Sequence, residues 1–207
     1  MIEVIIPITG SSPFLEDQFL IEKSIKFFKG NDEIVQIHVL PTDRSVAEIA
    51  ISYGCNVPFL RKQTDQDLSA LSVALNYARS NIDLSSNNII VAKETHPFRP
   101  KDLITNLKKS LESYDSVLPC INLEAEIVNM DEIEDCSLCD YDKPGGEKMS
   151  TLVGMIGLGT LVSGKAILNK EQDQLNCTSL ILPLNYHLLK IRSQDEYKSL
   201  NNVFHLK

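Results

Sequence analysis

Short apolar runs alternate along this chain with stretches whose apolar residues recur every three to four positions, and that alternation restricts the fold more than any other feature. Residues 3–8, 34–40, 88–92 and 116–121 are runs of the first kind. Strands in a parallel sheet are covered on both faces, so they read as nearly continuous apolar segments. Between them, Leu20, Ile21, Ser24, Ile25 and Phe28 fall on one face of a helix predicted over about 16–29, with Gly30 as its stop. Ser45 and Glu48 have the spacing of a capping box for a helix ending at Gly54. Leu68, Leu71, Leu75 and Ala78 predict a third helix, and Pro100 a fourth, starting near it and running to about Leu111. Strand followed by helix, repeated, implies an α/β fold: a Rossmann-like, mixed and mostly parallel sheet flanked by helices.

The pattern changes at about 122–148. This segment is acidic, with Asp131, Glu132, Glu134, Asp135, Asp140 and Asp142, and ends in Pro144, Gly145 and Gly146. It reads as an excursion from a single domain spanning 1–207. Regular structure is expected again from about Thr151, with strands near 179–182 and 186–191 and a helix over about 194–203.

Composition narrows the function classes. A hydrophobic share of 43% is enough for a packed core, so the chain is not expected to be disordered. The net charge of −8 opposes general nucleic-acid binding, and an anionic ligand then needs local cations or a metal. The longest apolar stretch, 152–162, is short and broken by Gly154, Gly157 and Gly159, so no membrane span is expected. No basic leader precedes the first strand, which makes a cytoplasmic location the expectation. The five cysteines then read as free thiols. Cys136 and Cys139 form a lone CxxC without the second ligand pair that zinc requires.

The middle of the chain is more specific. Ala47, Glu48, Ile49 and Ala50, then Tyr53 and Gly54, then Val57, Pro58, Phe59, Leu60 and Arg61 give A-E-I-A-x-x-Y-G-x-x-V-P-F-L-R. This block resembles the acylneuraminate-type cytidylyltransferases, which activate acidic sugars such as sialic and pseudaminic acids as CMP conjugates. Thr95, His96, Pro97, Phe98 and Arg99 are similar to that family's P-T-S-P-L-R, and Lys190, Ile191, Arg192, Ser193 and Glu196 stand where it has D-I-D-T-x-x-D. The resemblance spans nearly the whole chain at low identity. It implies a nucleotidyltransferase fold and attack of a sugar hydroxyl on the α-phosphate of CTP. It also implies Mg²⁺ with Lys and Arg to stabilise the phosphates, and a homodimer or association with an active relative.

The departures from the family pattern fall where charge is needed. The family's first-strand loop carries Arg and Lys, whereas here Thr9, Gly10, Ser11 and Ser12 follow the strand and the next cation is Lys23. Backbone amides around Gly10–Ser12 remain an anion nest in principle, and a plain strand-to-helix turn is the alternative. Lys190 and Arg192 replace the two carboxylates expected to bind metal, changing local charge by about four units and opposing Mg²⁺ at short range. The family's Gln-Pro becomes Lys93-Glu94, and Asp43 is left as a possible helix cap. Candidate ligand contacts are therefore Thr9, Gly10, Ser11, Ser12, Arg61, Lys93, Thr95, His96, Arg99, Lys190 and Arg192. No catalytic residue or metal ligand is assigned. Two readings stand: a divergent cytidylyltransferase using CTP and an acidic sugar, or an inactive homologue that binds an anion or nucleotide-sugar or serves as an interaction subunit.

Overall fold

The computed structural model describes residues 1–15, 18–62, 68, 71–84, 88–125, 149–164, 176–183 and 189–204. In chain order the elements are β1 (Ile2–Ile8), β2 (Phe14–Leu15), β3 (Gln18–Phe19), α1 (Leu20–Lys29), β4 (Ile34–Pro41), α2 (Arg44–Ser52), α3 (Leu71–Asn81) and β5 (Asn88–Val91). They continue with α4 (Leu103–Leu111), β6 (Ser116–Ala125), β7 (Met149–Gly154), a 3₁₀ turn (Ile156–Leu158), β8 (Thr160–Ser163), β9 (Cys177–Leu182) and α5 (Gln194–Phe204).

Seven strands form one sheet in the order β4-β1-β5-β8-β6-β7, with β9 also paired to β6. β4, β1, β5, β6 and β9 run in one direction, and β8 and β7 run against them. The expected mixed, mostly parallel α/β sheet is present. The short β8 lies within the Gly-broken apolar stretch and is a strand that the periodicity did not resolve. By inserting antiparallel between β5 and β6, it makes the sheet mixed.

The central strand β1 is apolar on both faces because both are covered. Ile2, Val4, Ile6 and Ile8 pack with Ile21, Ile25 and Phe28 of α1, Val46 and Ala50 of α2, and Leu103, Ile104 and Leu107 of α4. On the other face Ile5 meets Leu40, Leu68, Val91 and Ala74, Leu75 and Ala78 of α3. A third, small core joins Leu15, Leu20, Phe98, Ile191 and Tyr197, tying the β2 end and α5 to the segment after β5.

Several boundaries differ from expectation. α1 begins at Leu20, because Phe14–Leu15 and Gln18–Phe19 first form a short antiparallel hairpin. Glu22 accepts the Phe19 N–H at 2.6 Å and closes that helix start. The cap of α2 is Asp43, not Ser45: its carboxylate accepts from Ser45 N–H at 2.8 Å. The Ser45 hydroxyl bond, helped by the Ser45 and Val46 amides, outweighs the opposing effect of burial and holds its pKa below the usual carboxylate value. Pro100 precedes the fourth helix by one turn, with its carbonyl accepting from Leu103 N–H at 3.1 Å. Residues 122–125 belong to β6 and pair with Met149–Leu152 of β7, so the excursion starts later than expected. Its remainder, with Cys136 and Cys139, lies outside the described residues. Residues 189–192 form no strand, so the strand expected over 186–191 is not found in its described part. No described helix is long and apolar enough to cross a membrane.

Candidate functional site

Strand order reverses beside β1. The chain leaves β1 through α1 to reach β4 on one side, then returns through α2 and α3 to β5 on the other. The loops at the carboxyl ends of β1 and β5 therefore part, and open α/β sheets bind ligands in that crevice. A cleft of about 200 Å³ lies there, lined by Pro7, Ile8, Thr9, Leu68, Lys93, Glu94 and Thr95. A larger hollow of about 590 Å³ lies at the opposite end of the sheet, near Asn88, Asp115 and Asn176. It is remote from the strand reversal, and none of the candidate ligand residues lines it.

The loop after β1 is held from several directions. Gly10 adopts a φ of 81°, and its N–H donates to Thr42 Oγ1 at 2.8 Å. Thr9 and Ser11 are exposed, whereas Ser12 is buried. The Ser12 hydroxyl donates to Glu94 Oε2 at 2.6 Å, and the Ile21 N–H in the first turn of α1 donates to Ser12 Oγ at 3.0 Å. One relay thus links the α1 amino end, the β1 loop and the cleft wall. Burial pushes Glu94 up to about 7, against the smaller opposing effect of the Ser12 hydrogen bond.

Arg61 and Arg99 are both buried, and their donors meet the scaffold. Arg61 Nε donates to Leu40 O and Nη2 to Ile8 O, each at 3.1 Å, so the guanidinium seals the carboxyl ends of β4 and β1. Nη2 also reaches Thr9 Oγ1 at 3.4 Å, placing positive charge at the cleft edge. Arg99 donates through Nε to Leu158 O at 2.7 Å, through Nη1 to Ser24 Oγ at 3.0 Å, and through Nη2 to Lys93 O at 2.5 Å and Gly157 O at 3.3 Å. Its guanidinium also lies over the Phe28 ring, 4.9 Å from the centroid. Burial lowers its pKa to about 9, still above neutrality.

His96 lies against the 3₁₀ turn, so close that a Cβ on Gly157 would sit 2.2 Å from its ring. Burial, then the charges of Arg99, Lys190 and Lys93, push its pKa down to about 3. The imidazole is neutral at physiological pH. Thr95 Oγ1 is 3.3 Å from His96 Nδ1, and the Thr95 carbonyl accepts the Ile191 N–H at 2.7 Å. This last bond brings the 189–192 segment to the cleft loop. Lys190 and Arg192 are exposed on either side of fully buried Ile191. They stand in an irregular segment and not in a strand. Glu196 accepts the Arg192 N–H at 2.6 Å, and Ser193 Oγ accepts the Glu196 N–H at 3.1 Å, so both cap α5.

Of the expected site residues, Thr9, Lys93 and Thr95 line the cleft, Arg61 and Arg99 are buried supports, and Gly10, Ser11, Ser12, His96, Lys190 and Arg192 stand in the adjoining segments without lining it. Glu94, Thr42, Ser24 and Gly157 were not among the expected site residues. Glu94 had a readable signal: a carboxyl directly after a buried apolar strand, at the end where such sheets meet ligands. Among the described residues no three His, Cys, Asp or Glu side chains come together as a metal site. Among the described residues that line the cleft Glu94 is the one carboxyl, and its Oε2 accepts from Ser12.

A mixed sheet between helices, with a crevice where strand order reverses, defines a Rossmann-like α/β fold. Within it the chain superposes on CMP:2-keto-3-deoxy-manno-octonic acid synthetase complexed with CTP, with a TM-score of 0.66 and 9% identity over 99% of this chain and 98% of that one. It is similarly close to 4-diphosphocytidyl-2C-methyl-D-erythritol synthase from Anaerococcus prevotii, at 0.65 and 12% identity over 99% and 98%. A further 4-diphosphocytidyl-2C-methyl-D-erythritol synthase structure gives 0.61 at 9% identity. No family model and no curated protein matches the sequence. At this identity the shared property is the fold.

Proposed function

We propose that this chain is a divergent relative of the acylneuraminate-type cytidylyltransferases that holds a cytidine nucleotide or nucleotide-sugar in the switch-point cleft without magnesium-assisted nucleotidyl transfer. The fold shared with CTP-dependent enzymes and the block at 47–61 support the ligand class. The observation that carries the second half is the cation inventory. Thr9, Gly10, Ser11 and Ser12 bring no positive side chain to the loop that faces the crevice. Arg61 and Arg99 are committed to backbone carbonyls, and Lys93 is the one cation among the described residues lining the cleft. A triphosphate transition state needs several cations aimed at developing charge. One lysine with two threonine hydroxyls suits a ligand of low charge, such as a nucleoside monophosphate or its sugar ester.

The test is thermal stabilisation by CMP, CTP and CMP-sugars, with Mg²⁺ and with EDTA, beside a pyrophosphate-release assay using acidic sugars. Stabilisation by CMP or a CMP-sugar that survives EDTA is expected, with no pyrophosphate released. Release at enzyme-like rates with Mg²⁺ sinks the non-catalytic half, and indifference to every cytidine compound sinks the whole reading.

A further inference from the structure

Glu94 is a carboxyl in the wall of the proposed ligand cleft, 8% exposed, with one oxygen tied through Ser12 to the amino end of α1. Among the described residues no lysine or arginine pairs with it, and Ser12 is the one side chain that acts on its charge. The charged groups of the neighbouring segments lie elsewhere: Lys93, Arg99 and Lys190 act on neutral His96, Lys23 of α1 lies over Phe98, and Arg61 reaches Thr9. The loop 9–13 contributes no charged side chain. An anion entering next to Lys93 and Thr95 therefore approaches a carboxyl with no direct counter-ion. Two like charges in a partly dry cleft disfavour each other, and the carboxylate relieves this by taking a proton.

We propose that Glu94 takes up one proton from solvent when an anionic cytidine ligand occupies the switch-point cleft, so that affinity for the ligand is set by Glu94 and falls as pH rises through neutrality. This inference rests on the nucleotide reading above. The proton leaves the buffer acid and bonds to a Glu94 oxygen; no other bond changes. Its geometry is the relay Ile21 N–H to Ser12 to Glu94 Oε2, which leaves Oε1 as the oxygen without Ser12. Burial already holds the free protein's Glu94 near 7, so the carboxyl is poised between its two states before any ligand arrives. His96, held neutral, does not compete in this range. By linkage, whatever the ligand does to proton affinity the proton does to ligand affinity.

The probe is cytidine 5′-monophosphate methyl ester, whose single charge is constant across neutrality, titrated by calorimetry in buffers of different ionisation enthalpy. Proton uptake is expected at pH 8 and should vanish toward pH 6. Binding should be about tenfold weaker at pH 8.5 than at pH 6.5. Glu94→Gln should bind with no pH dependence and no uptake. Ser12→Ala, which removes the hydrogen bond favouring the carboxylate, should move the pH midpoint upward. The wild-type uptake measurement needs no variant to fold. Binding with a flat pH profile and no uptake overturns the coupling alone, whereas no binding at any pH overturns both the coupling and the nucleotide reading.

Discussion

Four hydrogen bonds and two aromatic faces surround the Arg99 guanidinium, and its neighbours depend on it as much as it depends on them. Arg99→Met fills similar volume but leaves the Leu158 carbonyl without its donor, while the Gly157 and Lys93 carbonyls keep the Lys93 and His96 N–H groups. An orphaned buried acceptor costs about 1–3 kcal/mol, so a loss of about 1–3 kcal/mol is expected in urea unfolding. A loss below about 1 kcal/mol would show that water replaces the arginine. Gly157 makes a second, steric prediction. Gly157→Ala drives a methyl into the His96 ring and should cost about 1–3 kcal/mol, and His96→Ala in the same chain should restore most of it. Additive losses in that double-mutant cycle would mean the clash relaxes elsewhere. Glu94 makes a third. Its folded pKa, near 7, exceeds the ordinary 4.5, so the folded state binds the extra proton. The stability this confers is complete below the unfolded value and is lost as pH rises through about 7, a decline on the order of 3 kcal/mol. Glu94→Gln should lack that component of the pH–stability curve, measured as unfolding free energy at several pH values.

At the scale of elements, a cap decides whether α5 can hold its neighbours in place. Ser193 and Glu196 close its amino end, and Glu196 reaches back to the N–H of Arg192, within the segment whose Ile191 N–H binds Thr95. Glu196→Ala should fray the first turn, with a loss of about 1 kcal/mol and faster amide exchange at Arg192 and Glu196. Unchanged exchange there would remove the link between the cap and the cleft. Elements were legible in the sequence where periodicity was long and the boundary chemistry unambiguous. β1, β4 and the body of α2 follow from their apolar patterns. The α2 cap was readable only as a choice between Asp43 and Ser45, two residues that can each cap, and the backbone geometry chose Asp43. In the described part of the strand expected over 186–191, residues 189–191 are irregular, because alternation about one buried residue, Ile191, also suits a segment pinned by a helix cap and a single backbone bond. β8 was hidden because Thr160, Leu161 and Val162 follow glycines in a run that is apolar without a period. Within the site, residue types alone marked Lys93 and Thr95 as able to face a ligand. They could not mark Arg61 and Arg99 as supports, since the carbonyls that claim those guanidinia come from Leu40, Ile8, Leu158, Gly157 and Lys93, most of them distant in sequence.

Across the whole molecule, the sheet is unevenly sealed, and the cleft sits on its sealed side. Ile2, Val4, Ile5 and Ile6 of β1 are fully buried between helices, and β4 and β5 pair along it. β9 lies at the other side of the sheet with Cys177, Ser179 and Ile181 exposed. Amides whose hydrogen bonds break only with the core should exchange through global unfolding, whereas edge strands open locally at lower cost. In native-state hydrogen exchange, β1 amides should therefore follow the global unfolding free energy as denaturant rises, and β9 amides should exchange faster with little denaturant dependence. A ligand in the switch-point cleft separates these classes further. Binding to the folded state alone adds about 2.7 kcal/mol at a ligand concentration of 100 times Kd, and only openings that destroy the site feel it. Slower exchange is thus expected throughout β1 and β5 when CMP or its esters are added, with or without EDTA, while β9 keeps its rates. Equal slowing of β9 would mean that the sheet opens as one unit. Slowing confined to the far end, around Asn88 and Asp115, would place the ligand in the larger hollow and remove the switch-point cleft from the account.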